Sequence, residues 1–156
     1  MEKQTLAYLA GFIDGEGSVG LVPMRGYGNR SLNTTPTLQI RLSATNSSRE
    51  PLELLQSVFG GNISPHHKPN SHRKDCWRWT LASRKATAAI SSLQPFLRVK
   101  REQANLILEY ALTLTWQNSE HIRQNGRIVK AFVKPDILKN RLRIAKNLAG
   151  LNRRFS

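Results

Sequence analysis

The sequence predicts an α+β domain: a four-stranded antiparallel sheet with helices packed on one face and extra helices at the C-terminus. Two observations carry this. Segments of helical period and segments of alternating period follow one another as α-β-β-α-β-β-α. Residues 35–43 alternate Leu38, Ile40 and Leu42 against Thr37, Gln39, Arg41 and Ser43, the pattern of a strand with one buried and one polar, basic face. The length, 156 residues, fits one domain with a real core. The expected division is a single domain over 1–156, its core over about 5–116 and a basic helical extension over about 117–156.

Thr5 is the expected N-cap of a first helix running to Ile13 and ended by Gly15 and Gly17. Ser18 to Val22 reads as a strand, and residues 23–33 as a polar loop punctuated by Gly26 and Gly28. After the alternating strand, Pro51 opens a helix whose stripe of Leu52, Leu54, Leu55, Val58 and Phe59 closes at Gly60-Gly61. Ile63 begins a second strand pair whose turn is the basic loop His66 to Lys74. In the returning strand Trp77, Trp79 and Leu81 share a core-facing side opposite Arg78 and Thr80. Helical patterns follow at Lys85–Leu93, from Arg101 to about Leu114, and at Pro135–Leu148.

Charge sharpens the picture. The chain has 24 Lys and Arg against 10 Asp and Glu, a net charge of +14, which points to a phosphate-bearing partner. Residues 120–156 hold 10 of those basic side chains and only 2 acidic ones. One cysteine, Cys76, excludes an internal disulfide and fits a reducing compartment. No apolar run reaches the ~18 residues of a membrane span, so a soluble, intracellular protein with no membrane partner is expected. His66, His67, His72 and Cys76 lack the paired spacing of zinc ligands, and zinc is not expected.

Against this basic background the first helix is acidic at its end, with Asp14 and Glu16. It also has two apolar stripes. Leu6, Leu9 and Ile13 face one way, and the small stripe Ala7, Ala10, Gly11 with Asp14 faces another. A helix so short and apolar needs cover on both sides, and small residues let a second helix come close. The chain has no second copy of the segment, so the expected partner is the same helix of another subunit about a two-fold axis. Paired Glu16 carboxylates would repel unless cations lay beside them. Oxygen ligands open to phosphate favour Mg²⁺, with Mn²⁺ or Ca²⁺ as substitutes in binding. Such an ion activates water and stabilises the oxygens of a phosphodiester under attack. Spacing alone leaves equally open that Asp14 and Glu16 are ordinary polar residues at a turn.

The segment Leu9-Ala10-Gly11-Phe12-Ile13-Asp14-Gly15-Glu16-Gly17 resembles the signature of the LAGLIDADG homing endonucleases. Leu93-Gln94-Pro95-Phe96-Leu97-Arg98-Val99-Lys100, then Gln103-Ala104-Asn105-Leu106, resembles that family's segment with an active-site lysine, and Gly150-Leu151-Asn152 is similar to its single-motif homodimeric branch. The resemblance implies a saddle-shaped sheet in the DNA major groove and a site at the paired helices over the minor groove. It implies a homodimer that cuts both strands of a long, roughly palindromic site and leaves short 3′ overhangs. By residue, it implies Glu16 as the metal-binding carboxylate, the Gly15 carbonyl as a second ligand, and Lys100 as the basic group near the scissile phosphate. In the close branch a glutamine and an arginine after the second strand order active-site water. Here Asn46 and Arg49 are the candidates, while an ungapped alignment puts Ala44 and Ser48 there.

Double-stranded DNA is therefore the expected partner, with no small-molecule substrate. Thr35, Thr37, Gln39, Arg41 and Ser43 offer the donors and acceptors for base edges; Gln39 suits adenine and Arg41 guanine. Arg25, Tyr27, Asn29 and Arg30 on the first loop extend the surface, as do His67, Lys68, Arg73, Lys74, Arg78 and Thr80 around the second hairpin. Lys139 and Arg143, with Lys146, Arg153 and Arg154, read as phosphate clamps. Two other readings remain: a LAGLIDADG-derived RNA maturase or DNA-binding protein that no longer cuts, and a basic ribosomal domain with no use for the acidic helix.

Overall fold

The computed structural model describes residues 2–23, 38–66, 76–114, 119–124 and 127–154. The elements run α1 (Lys3–Glu16), β1 (Gly17–Pro23), β2 (Leu38–Asn46), α2 (Glu50–Phe59), β3 (Asn62–Pro65), β4 (Trp77–Ala82), α3 (Ser83–Leu93), α4 (Arg101–Leu112), β5 (Ser119–Gln124), β6 (Arg127–Val133) and α5 (Pro135–Arg154). The first seven reproduce the expected α-β-β-α-β-β-α order, and α4 falls on the helical pattern expected from Arg101.

The four-stranded sheet is antiparallel with spatial order β1-β2-β4-β3. Its inner face packs against helices. Val19, Ile40, Leu42, Ala44, Trp79 and Leu81 meet Leu9 and Ile13 of α1, Leu52 and Leu55 of α2, Ile90 and Leu93 of α3 and Ile107 of α4 in one buried cluster. Period-two alternation places every second residue of β2 in that cluster, so a one-residue register slip would turn Arg41 and Ser43 inward. Trp79 is fully buried and donates its indole N–H to the Gly60 carbonyl at 2.8 Å, which satisfies its polar edge. Trp77 is half-buried and packs on the same cluster. Core packing of both tryptophans is as expected.

Gly61 permits this closure. Its φ is +96°, and a Cβ there would sit 2.7 Å from the Thr80 carbonyl oxygen and 2.9 Å from the Trp79 indole nitrogen. Only glycine combines that backbone with that proximity.

Three expectations change. α1 begins at Lys3 rather than after Thr5, and Thr5 is not its N-cap. It also runs through Gly15 to Glu16, because continuous hydrogen bonding outweighs one glycine's poor propensity. The C-terminal extension is not wholly helical. β5 and β6 form a separate antiparallel pair before α5, and Asn125-Gly126 lies between the two strands in sequence. α5 is one long helix, anchored by buried Ile144 and Leu148 and packed on α4. Among the described residues no helix is long and apolar enough to cross a membrane.

Candidate active site and nucleic-acid interface

The end of α1 is built by Gly17. The chain passes from helix to strand without a loop, and a Cβ at Gly17 would lie 2.7 Å from the Ile13 carbonyl oxygen and 2.9 Å from the Ile13 Cα. This turn leaves Glu16 exposed where the helix meets the sheet, with no hydrogen bond to its carboxylate among the described residues. The Gly15 carbonyl lies in the same last turn, where a helix offers no N–H partner. A free carboxylate beside a free carbonyl is a hard-oxygen donor set suited to Mg²⁺, which takes few protein ligands and keeps its waters. No cluster of three His, Cys, Asp or Glu able to hold a metal occurs among the described residues.

Lys100 arrives at the same place from 84 residues further on. Its ammonium donates a hydrogen bond to the Asp14 carbonyl, another orphan acceptor at the negative end of α1. Burial pushes the Lys100 pKa below the usual lysine value; the negative charges of Asp14 and then Glu16 oppose that shift. The structure thus brings together Glu16, Gly15 and Lys100, residues that the sequence separates.

Asn46 and Arg49, the candidates for ordering water, are committed elsewhere. Asn46 shares the inward parity of Ala44 and accepts the Ser48 backbone N–H at 2.8 Å, closing the turn into α2. Arg49 pairs with Glu53 at 3.1 Å and lies 4.4 Å over the Trp77 ring. These contacts hold both side chains at the turn between β2 and α2. Of the ungapped alternatives, Ala44 is buried in the core and Ser48 is exposed.

The outer face of the sheet is polar and ordered in rows. Directly paired residues share a face, which gives one row of Ser18, Ser43, Thr80 and Asn62 and another of Gly20, Arg41 and Ala82. A third row, Thr45, Arg78 and Ser64, lies level with Glu16, one residue beyond the pairing of Gly17 with Ala44. Rows two residues apart are about 6.6 Å apart along the strand, roughly two base steps.

Several expected DNA contacts are placed on this face. Arg41 stands between small neighbours, and its Nε is enclosed with no hydrogen-bond partner among the described residues. Gln39 donates to Ser83 Oγ at 2.8 Å. Arg78 donates to Thr45 Oγ1 at 3.3 Å and to His66 Nε2 at 2.8 Å. Ser43 and Thr80 face the same way. Thr45, Ser18, Asn62 and Ser64 join the surface beyond the residues expected from sequence. Parity marks Thr45, but cross-strand neighbours need the fold. Arg25, Tyr27, Asn29, Arg30, Thr35, Thr37, His67, Lys68, Arg73 and Lys74 lie outside the described residues.

The small-residue face of α1 also shifts. Ala10 is fully buried in its own core with Leu9 and Ile13, because residues 6, 9, 10 and 13 form the inward arc. Asp14 uses both carboxylate oxygens within its own chain: Oδ2 accepts the N–H of Arg98 at 2.7 Å and of Val99 at 3.1 Å, and Oδ1 that of Lys100 at 2.9 Å. Ala10 therefore lies inside the protomer, while half-buried Asp14 borders the same open cleft as Ala7 and Gly11. The exposed ridge is Ala7, Gly11 and Gly15, with open space around both glycines and Tyr8 56% exposed beside them.

In the C-terminal region, Arg143 is not a free clamp. It pairs with Glu109 of α4 and contacts Asn140. Arg141 inserts its guanidinium against Thr113, donating to the side-chain hydroxyl at 2.9 Å and the carbonyl at 2.5 Å. Lys139, Lys146 and Arg153 are exposed. The far end of α5 reaches the outer face, where a Cβ on Gly20 would lie 3.9 Å from Asn152 Nδ2.

Comparison with known proteins defines the class. Residues 9–98 match the LAGLIDADG endonuclease family, and the chain belongs to that family, one of metal-dependent DNA endonucleases. The fold agrees with solved homing endonucleases. I-CvuI, solved with its DNA target and calcium, superposes with a TM-score of 0.66 at 19% identity, covering 95% of this chain and 82% of that one. The archaeal intron-encoded I-Vdi141I, solved with DNA, gives a TM-score of 0.66 at 24% identity over 97% and 86% of the two chains. I-SmaMI, bound to cleaved DNA, gives 0.62 at 16% identity, with 91% of this chain covering 43% of that one. Among the curated proteins compared, none matches.

Proposed function

We propose that this chain is a Mg²⁺-dependent, site-specific endonuclease that acts as a homodimer on a long pseudo-palindromic DNA duplex and leaves short 3′ overhangs. The observation that carries this is the convergence of the free Glu16 carboxylate and the Lys100 ammonium at one end of α1, beside a polar, basic sheet face. Glu16 and the Gly15 carbonyl would hold the cation, which supplies activation of water and charge stabilisation at the phosphate. Lys100 places positive charge where the phosphate gains negative charge in the transition state. The ridge of Ala7, Gly11 and Gly15 permits close approach of a second α1, which brings two half-sites together. Rows of the outer face then meet successive base pairs, and exposed Lys139, Lys146 and Arg153 bear on phosphates. The DNA-bound structures of I-CvuI and I-Vdi141I support this reading. A single cysteine, Cys76, suits a reducing intracellular compartment.

The test is incubation with DNA carrying the joined sequence that flanks the gene at its native locus, with Mg²⁺ or with EDTA. A metal-dependent double-strand break, lost in Glu16→Gln while binding persists, is expected. A break indifferent to EDTA or to that substitution would refute the reading.

One observation favours a second reading. Asn46 and Arg49 are held in contacts of their own chain, which suits a maturase or DNA-binding protein without cleavage. Tight binding of intron RNA or duplex DNA, with no break under any divalent cation, selects it.

A further inference from the structure

We propose that Asp14 is a positioning residue for Lys100, setting where its ammonium stands relative to Glu16. The proposal rests on the reading of Glu16 and Lys100 as the cleavage centre. A lysine side chain has a flexible four-carbon stem, so a fixed ammonium needs both of its ends held. Here one residue holds both. The Asp14 carboxylate accepts the backbone N–H groups of Arg98, Val99 and Lys100 at 2.7, 3.1 and 2.9 Å, fixing the Lys100 backbone. The Asp14 carbonyl accepts the ammonium itself.

Both carboxylate oxygens take part, so the carboxylate plane is set and the segment before α4 cannot swing. The other side of that segment is closed by Arg101, whose guanidinium donates to the carbonyls of Leu97 at 2.9 Å and Pro95 at 3.1 Å. Asp14 also lies in the helical turn that carries Glu16. Carboxylate and ammonium are therefore referenced to the same few backbone atoms, although 84 residues separate them in sequence. Asp14 touches neither DNA nor metal in this scheme; it acts through Lys100.

The experiment is a double-mutant cycle of Asp14→Asn and Lys100→Met. Single-turnover cleavage is measured on the duplex that the unaltered chain cuts. Binding to the same duplex is measured with Ca²⁺ in place of Mg²⁺, and mass by sedimentation. Asp14→Asn is expected to slow cleavage roughly tenfold to a hundredfold, the scale of a displaced catalytic group. Binding should change by less than about twofold and the dimer should remain. In the Lys100→Met background Asp14→Asn should cost nothing further.

Equal losses in both backgrounds, or loss of the dimer or of DNA binding with Asp14→Asn, would overturn the positioning role alone. A Lys100→Met protein that cuts at the normal rate would overturn the site reading with it. Asp14→Glu keeps the charge and moves the carboxylate by one methylene. If Asp14→Asn does not fold, Asp14→Glu must show the same slowed, non-additive cleavage, and normal cleavage by it refutes the proposal.

Discussion

Arg78 of β4 donates from Nη2 to His66 Nε2 at 2.8 Å, while its Nε reaches Thr45 Oγ1 at 3.3 Å. A guanidinium only donates hydrogen bonds, so His66 Nε2 is the acceptor in this contact. Two acceptors thus aim an exposed arginine across the row of the sheet level with Glu16. Such a held fork suits bidentate contact with guanine. Arg78→Ala is expected to weaken binding by about 1–3 kcal/mol and to relax preference at one base pair per half-site. A binding selection over randomised duplexes checks it; uniform weakening at all positions would mark Arg78 as a phosphate contact.

Gly11 offers a direct test of assembly. A Cβ there meets nothing within 4 Å in its own chain, so a larger side chain leaves the folded protomer intact. Gly11→Leu should keep the thermal midpoint within a few degrees, since exposed substitutions change stability by about 0.5 kcal/mol or less. It should also abolish the dimer in sedimentation and, with it, double-strand cleavage. A Gly11→Leu protein that remains dimeric and active would place the subunit contact elsewhere.

Gly61 should behave in the opposite way. Gly61→Ala forces a Cβ against the Thr80 carbonyl from a backbone with φ of +96°. Strain of this kind costs about 1–3 kcal/mol, and the clash is with main chain that cannot move aside. Urea unfolding should show a lower midpoint with an unchanged slope.

Alkaline stability carries two opposed contributions. Burial raises the Tyr110 pKa above its ordinary 10.0, with the Arg141 charge and the hydrogen bond to the Leu38 carbonyl opposing. The native state then keeps a proton that the unfolded chain loses, so stability falls as pH rises past about 10. Burial lowers Lys100 below 10.5, so the native state sheds a proton that the unfolded chain keeps, and stability rises with pH until that value is passed. Tyr110→Phe should flatten the alkaline loss, and Lys100→Met should remove the gain. Urea midpoints over about pH 8 to 11 read both.

Much of the molecule was legible in local pattern. Alternation in β2 and β4 announced which side of each strand is buried, because a strand has only two faces and water sorts them. Gly60-Gly61 announced the end of α2. The β5–β6 pair has a local signal too: Asn125-Gly126 between Ile122 and Ile128-Val129 is a strong hairpin sequence. The error at α1 had a different source. The expected small stripe includes Ala10, but the inward arc of 6, 9, 10 and 13 buries it, and Ala7, Gly11 and Gly15 remain outside. Alanine is small enough to suit a core or an interface, so the sequence does not sort it.

The sequence by itself determined the order of the first eight elements, the polar outer face and the residues that can carry the chemistry, Glu16 and Lys100. The elements and the outer face follow from period and composition, which are local; Lys100 as a candidate follows from the resemblance of residues 93–106 to the family's segment. Tertiary structure alone decided which charged groups remain available. It gave Asp14 to the backbone before Lys100, Asn46 to the turn at Ser48, Arg49 to Glu53 and Trp77, and Arg143 to Glu109. A charged side chain takes whichever partner the fold brings within reach, and those partners depend on through-space distances that no spacing along the chain records.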